Sequence, residues 1–141
     1  MATFSRNVTV NWEGSIMEGK GTAKAGSGAF TLPVTFPARI GEPAGKTSPE
    51  ELIAAAHSSC YSMQLSGGLA RAGTPPAALD TTADVTFQVG EGITGIALTV
   101  RASVPGISAE DFEAAAQDAK VNCPVSKALA ATAITLDAAL V

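Results

Sequence analysis

The sequence predicts an α+β fold, a largely antiparallel sheet wrapped around one long buried helix. Two observations carry this expectation. Segments with strand-like and helix-like periodicity come in blocks, without the regular βαβα rhythm of a parallel sheet. In addition, Leu52 to Ala70 runs for 19 residues without an Asp, Glu, Lys or Arg. The 141 residues fit one domain spanning 1–141. Apolar residues make up 46% of the chain and aromatic residues only 5%, so the core should be built from small, closely packed side chains.

Each element has its own signal. Val8, Val10 and Trp12 alternate with Thr9 and Asn11, the period of a half-buried strand. Gly14 to Gly28 reads as strands and turns. Phe30, Leu32 and Val34 alternate again, and Pro33 suits an edge strand. Pro37 to Lys46, with its prolines, glycines and Arg39, reads as a loop. Ser48-Pro49-Glu50-Glu51 then opens a helix: Ser48 as N-cap, Pro49 at N1, and Glu51 at N3 completing a capping box. That helix runs to about Ala72 and stops at Gly73, ahead of Pro75 and Pro76. Ala83, Val85, Phe87 and Val89 form a strand with one wet face. After a glycine turn, Ile96, Leu98, Val100, Ala102 and Val104 form its hairpin partner. Ser108, with Asp111 three residues on, starts a second helix, with Phe112, Ala115, Ala116 and Ala119 on one face. A short helix around Val125 to Ala130 and a last strand through Ile134, Leu136, Ala138 and Leu140 complete the chain.

The uncharged helix is long enough for a membrane, but it carries His57, Ser58, Ser59, Ser62, Gln64, Ser66 and two glycines, which lipid would not accept. It needs more cover than one small sheet supplies, so a second copy of the chain packed on it, a homodimer, is expected. A net charge of −4 and the lack of basic clusters argue against a nucleic acid or membrane partner. The N-terminal stretch lacks a basic region followed by an apolar one, so a cytoplasmic, reducing location is expected.

In such a compartment a structural disulfide is disfavoured, and Cys60 and Cys123 are either inert buried thiols or a reactive pair. His57, Cys60 and Cys123 are too few for a standard zinc site, so no metal is expected. No P-loop or GxGxxG–helix motif calls for a nucleotide, and no cofactor is expected. Two thiols suit peroxide reduction, in which a thiolate attacks the O–O bond and a second thiol condenses with the resulting sulfenic acid. The alternatives are a general thiol–disulfide oxidoreductase, which no CxxC motif supports, and a non-enzymatic binding or structural protein. A reactive thiolate needs a positive neighbour. Arg39 is the leading candidate, and Glu50 is placed to orient it through a bidentate pair. Asn122-Cys123-Pro124 reads as a helix start, so spacing alone mildly favours Cys123 as the nucleophile. Leu52, Ile53 and Met63, near Cys60, are candidates to line a pocket for an organic substrate.

The segment Thr47-Ser48-Pro49-Glu50-Glu51-Leu52-Ile53-Ala54-Ala55-Ala56-His57-Ser58-Ser59-Cys60-Tyr61-Ser62-Met63 resembles the signature of the OsmC/Ohr family, the osmotically inducible and organic hydroperoxide resistance proteins. Asn122-Cys123-Pro124-Val125-Ser126 resembles its second cysteine motif. Leu79 to Val85, Asn11-Trp12-Glu13-Gly14 and Ile134 to Asp137 resemble the OsmC branch. The resemblance implies an intertwined α+β homodimer that reduces organic hydroperoxides, and hydrogen peroxide less well. It implies electrons from a thiol reductant such as a lipoylated protein or a small dithiol. It further implies that Cys60 is the peroxidatic and Cys123 the resolving cysteine, with Arg39 and Glu50 as activating pair. His57 matches the OsmC branch and joins Leu52, Ile53 and Met63 as a substrate-side candidate. The loop from Arg39 to Pro49 is about one residue longer than is usual in the family.

Glu50 and Cys60 lie ten residues apart on the long helix, roughly 15 Å along its axis. For Glu50 to help build a site around Cys60, either the helix breaks or the two come from different chains.

Overall fold

The alternation at Val8 does form a strand. In the computed structural model, which describes Met1–Val141, β1 (Val8–Glu13), β2 (Lys20–Ala25) and β3 (Thr31–Val34) make an antiparallel sheet in the order β1-β2-β3. They belong to the first of two compact units, Met1–Leu52; the second is Ile53–Val141. The β1–β2 connection is so tight that a Cβ at Gly19 would lie 2.2 Å from the Ser15 carbonyl oxygen, and Gly14 sits at φ +90°. Both positions therefore require glycine. Pro33 pairs with Thr22 on an edge strand, where its missing N–H costs no ladder bond.

Burial departs from expectation in β1. Val8, Val10 and Trp12 remain 51%, 53% and 41% exposed. In register they lie beside Ala25, Ala23 and Gly21 of β2. Period-2 alternation reports which residues share a face, but not how much of each side chain is covered at an edge strand.

Pro37 to Lys46 is not wholly loop. A short helix, α1 (Phe36–Ile40), begins there, with the Thr35 hydroxyl accepting from the Ala38 amide at 3.2 Å and proline in its first turn. Threonine followed by Phe-Pro is an N-cap signal, outweighed in the sequence by the glycines behind it.

Helix α2 (Pro49–Arg71) runs unbroken for 23 residues. Ser48 Oγ accepts the Glu51 amide at 3.1 Å, but the Glu51 carboxylate accepts from the Thr47 hydroxyl at 2.8 Å, leaving only half of the expected capping box. The helix closes with the Thr74 amide on the Leu69 carbonyl and the Gly73 amide on that of Ala70. Gly73, at φ +90°, supplies the left-handed residue of this Schellman closure.

In the second unit, β4 (Ala78–Gln88) and β5 (Gly92–Ser103) form the expected hairpin, and β6 (Ile134–Leu140) completes the sheet order β4-β5-β6. Strand β6 runs parallel to β5. A parallel neighbour needs a crossover, which here contains α3 (Ala109–Asn122) and α4 (Pro124–Ala128). Ile96, Leu98, Val100 and Ala102 of β5 are buried. The last three join Tyr61, Leu65 and Leu69 of α2 with Phe112, Ala116 and Ala119 of α3 in the core. His57, Tyr61, Leu65 and Leu69, four residues apart, form a fully buried stripe. The long helix is thus sealed along one stripe, while Ala55, Ala56, Ser59 and Met63 are exposed on the single chain. No helix is long and apolar enough to cross a membrane.

Candidate active site: a buried thiol pair and a paired arginine

Cys60 projects from the middle of α2, and Cys123 caps the N-terminus of α4, with Pro124 in the first turn. Both are free thiols. They are neighbours in the fold: Cys60 packs against the core cluster that holds Cys123, and each shifts the ionisation of the other. Their exposure differs: Cys123 is fully buried, whereas Cys60 is half-buried.

Their electrostatics differ as well. Burial disfavours a charge on Cys60 and pushes its thiol up. The Val125 backbone interaction offsets this only in part, and the neighbouring Cys123 raises it further. Burial also opposes charge on Cys123. There, however, hydrogen bonds from the Ser126 backbone, the Cys60 thiol, the Ser126 side chain and the Val125 backbone prevail, and the thiol is held below its ordinary value. In the chain by itself the surroundings therefore make Cys123 the easier of the two thiols to ionise and Cys60 the harder.

Behind the thiols lies His57, fully buried, whose Nε2 is 2.7 Å from Ser126 Oγ. Its Nδ1 is buried with no partner, and burial lowers its pKa, so the ring is neutral near pH 7. Next to the reactive pair, Tyr61 donates its hydroxyl to the Ala116 carbonyl at 3.0 Å. Leu52 and Ile53 are half-buried and Met63 is 74% exposed. His57, placed with these three on the substrate side by the sequence, is closed off from solvent and engaged with Ser126. Ser126 carries no sequence signal of function beyond its place three residues past Cys123, one turn into α4.

Within the first unit, Arg39 and Glu50 form the expected bidentate pair. Arg39 Nε donates to both carboxylate oxygens at 3.1 Å, and Nη2 donates to Oε1 at 2.6 Å. The side chains are 26% and 10% exposed, so the pair is shielded and holds the guanidinium in one plane. Beside it opens a pocket of about 390 Å³, lined by Trp12, Ile16, Val34, Phe36 and Pro49 along with Thr35 and Arg39. Sequence reasoning missed this pocket, because its walls come from three segments with only ordinary strand and loop signals. No three His, Cys, Asp or Glu side chains are grouped as metal donors.

Residues 41–138 match the family of OsmC-like proteins. The chain is 46% identical over 139 residues to the peroxiredoxin OsmC of Escherichia coli K12, covering 96% of both chains, and equally to that of Shigella flexneri. Its fold is shared with an organic hydroperoxide resistance protein from Elizabethkingia anophelis (TM-score 0.74, 23% identity, 100% of both chains). It is also shared with an OsmC protein from Legionella pneumophila described as an organic hydroperoxide resistance protein (TM-score 0.71, 19% identity, 99% of this chain and 98% of that one). With both cysteine motifs in place on this fold, the chain belongs to the OsmC family.

Proposed function

We propose that this protein is a thiol-dependent peroxidase that reduces organic hydroperoxides, and hydrogen peroxide less well. One observation carries the reading: two neighbouring free thiols, one reachable from solvent and the other sealed in the core beside it. The Cys60 thiolate attacks the terminal oxygen of the hydroperoxide. The O–O bond breaks, the alkoxide takes a proton to leave as an alcohol, and Cys60 becomes a sulfenic acid. Cys123 then attacks the sulfenic sulfur, forming the intrachain disulfide and releasing water. An external dithiol, such as a lipoylated protein, returns both thiols and is itself oxidised to a disulfide.

The first step needs Cys60 ionised, and its own surroundings oppose this. A guanidinium brought against it reverses the balance. The unbroken α2 puts Glu50 about 15 Å along the axis from Cys60. We therefore assign the activating pair to Arg39 and Glu50 of a partner chain in a homodimer. The exposed apolar residues of β1 and the exposed uncharged residues of α2 support a second copy. The pocket beside Arg39 would then receive the organic group, with Leu52, Ile53 and Met63 of the chain bearing Cys60 closing over it. The free thiols suit a reducing, cytoplasmic setting.

The test is a single-turnover assay with cumene hydroperoxide and hydrogen peroxide, with free-thiol counting. Cys60→Ser should consume no peroxide. Cys123→Ser should consume one equivalent per chain and then stall. Normal turnover in both variants would refute the assignment.

A further inference from the structure

The reaction above leaves one buried group without a task. His57 is the only histidine in the chain, is fully buried, and lies on the stripe of α2 that carries core residues Tyr61, Leu65 and Leu69. A leucine would fill such a position without burying polar nitrogen. Instead the imidazole reaches across to Ser126 of α4 at 2.7 Å. Ser126 is buried in the first turn of α4, whose N-cap is the buried Cys123, and its side chain is near enough to help lower the Cys123 thiol. Imidazole, hydroxyl and sulfur thus form a buried chain linking α2 to the start of α4.

The unpartnered Nδ1 gives this chain a direction. If the imidazole proton were on Nδ1, a buried N–H would lack an acceptor, which folded proteins rarely tolerate. With the proton on Nε2, only a lone pair goes unmet. Nε2–H then donates to Ser126 Oγ, and the hydroxyl proton, unable to point back at His57, is left to Cys123. In the opposite tautomer the hydroxyl would be drawn to Nε2 and away from the sulfur.

We propose that His57 is a buried positioning residue for Cys123: acting through Ser126, it aims the serine hydroxyl at the Cys123 sulfur and makes Cys123 the sulfur released when the intrachain disulfide is reduced. The proposal rests on the peroxidase reading for its place in the cycle. In that step the thiolate of the reductant attacks Cys60, the half-buried sulfur. A new S–S bond forms between reductant and Cys60, the Cys60–Cys123 bond breaks, and its electron pair leaves on Cys123. The Ser126 hydroxyl meets the charge as it develops. The second thiol of the reductant then displaces Cys60, leaving the reductant as a disulfide and both protein cysteines reduced.

The decisive measurement titrates Cys123 by thiolate ultraviolet absorbance in the full-length protein carrying Cys60→Ser, where no peroxide chemistry is needed. Two titratable neighbours remain: His57, whose pKa burial lowers, and Tyr61, whose hydroxyl is pushed well above the range scanned, by burial first and then by Glu113 and Cys123. Adding Ser126→Ala, which deletes a single oxygen, should lower the thiolate-to-thiol ratio about tenfold at fixed pH, a shift of about one pH unit. His57→Leu should lower it roughly threefold, because the hydroxyl survives but loses its orientation. His57→Gln should restore the parental titration, since an amide N–H can replace Nε2–H, and a purely space-filling role would not produce that rescue. With Cys60 present, opening of the oxidised protein by a small dithiol should slow in Ser126→Ala and His57→Leu and recover in His57→Gln. An unchanged titration in Ser126→Ala and His57→Leu overturns the proposal, as does failure of His57→Gln to differ from His57→Leu. Failure of hydroperoxide to produce the Cys60–Cys123 disulfide would sink the peroxidase reading instead, and the titration would still decide the relay.

Discussion

Co-expressing Cys60→Ser chains with Arg39→Ala chains separates a site shared between two chains from a site within one. Each variant alone lacks an essential group in every site. In a mixed dimer, one site joins Cys60 of the Arg39→Ala chain to the intact Arg39 of its partner, while the other site lacks both groups. Random pairing makes about half of the dimers mixed, each with one intact site, so activity should return to about one quarter of the wild-type level. The electrostatics show why the arginine must be in contact. At about 4 Å and an effective dielectric near 20, a guanidinium favours a thiolate by about 4 kcal/mol, or about three pKa units. At the roughly 15 Å of helix axis separating Glu50 from Cys60, the same charge is worth about 1 kcal/mol, and a screening length near 8 Å reduces it further. The assay is initial-rate peroxide consumption by the whole co-expressed population, with each homodimer as baseline. Absence of any recovery would refute the partner-chain assignment and require Arg39 to act on Cys60 of its own chain.

Three further outcomes follow from the geometry. Phe112→Ala, which empties a side chain only 2% exposed in the second unit's core, should cost about 3–5 kcal/mol in urea unfolding. Tyr61→Phe removes the bond to the Ala116 carbonyl and should cost about 1 kcal/mol by the same measurement, without changing the free-thiol count. Burial depresses the His57 pKa in the fold below its ordinary 6.5, so the unfolded chain binds the extra proton first on acidification. Stability should therefore hold above pH 6.5 and fall below it, by at most about 1.4 kcal/mol per pH unit, until the folded-state pKa is passed. His57→Gln should remove this component, as read from urea midpoints between about pH 5 and 7.

The sequence by itself determined the elements whose signals are local. The start of α2 at Ser48-Pro49, its end at Gly73, the cap at Ser108 and the β4–β5 hairpin all appear where cap, turn and period-2 patterns put them. The bidentate pairing of Arg39 with Glu50 was also legible, because a lone arginine ahead of an acidic helix start has few other partners. Local rules misjudged the segment after Thr35, where glycines masked a one-turn helix, and the burial of β1, because period-2 alternation does not report what lies above a face. The parallel direction of β6 was not legible either, since an alternating strand carries no mark of its neighbour's direction.

Only the tertiary structure decided how the two cysteines relate. They are 63 positions apart, and spacing could say no more than that Cys123 begins a helix. Folding makes them neighbours, seals Cys123, leaves Cys60 half-open, and sets Ser126 and His57 behind the sealed sulfur. Spacing alone favours Cys123 as the nucleophile, and the surroundings of the thiols lower Cys123 and raise Cys60, whereas the family resemblance implies that Cys60 is peroxidatic. The two agree once a cation from outside the thiol pair is required. That requirement is physical: a thiolate is stabilised by the groups within a few ångströms of it, and sequence order along one chain does not specify which groups those are.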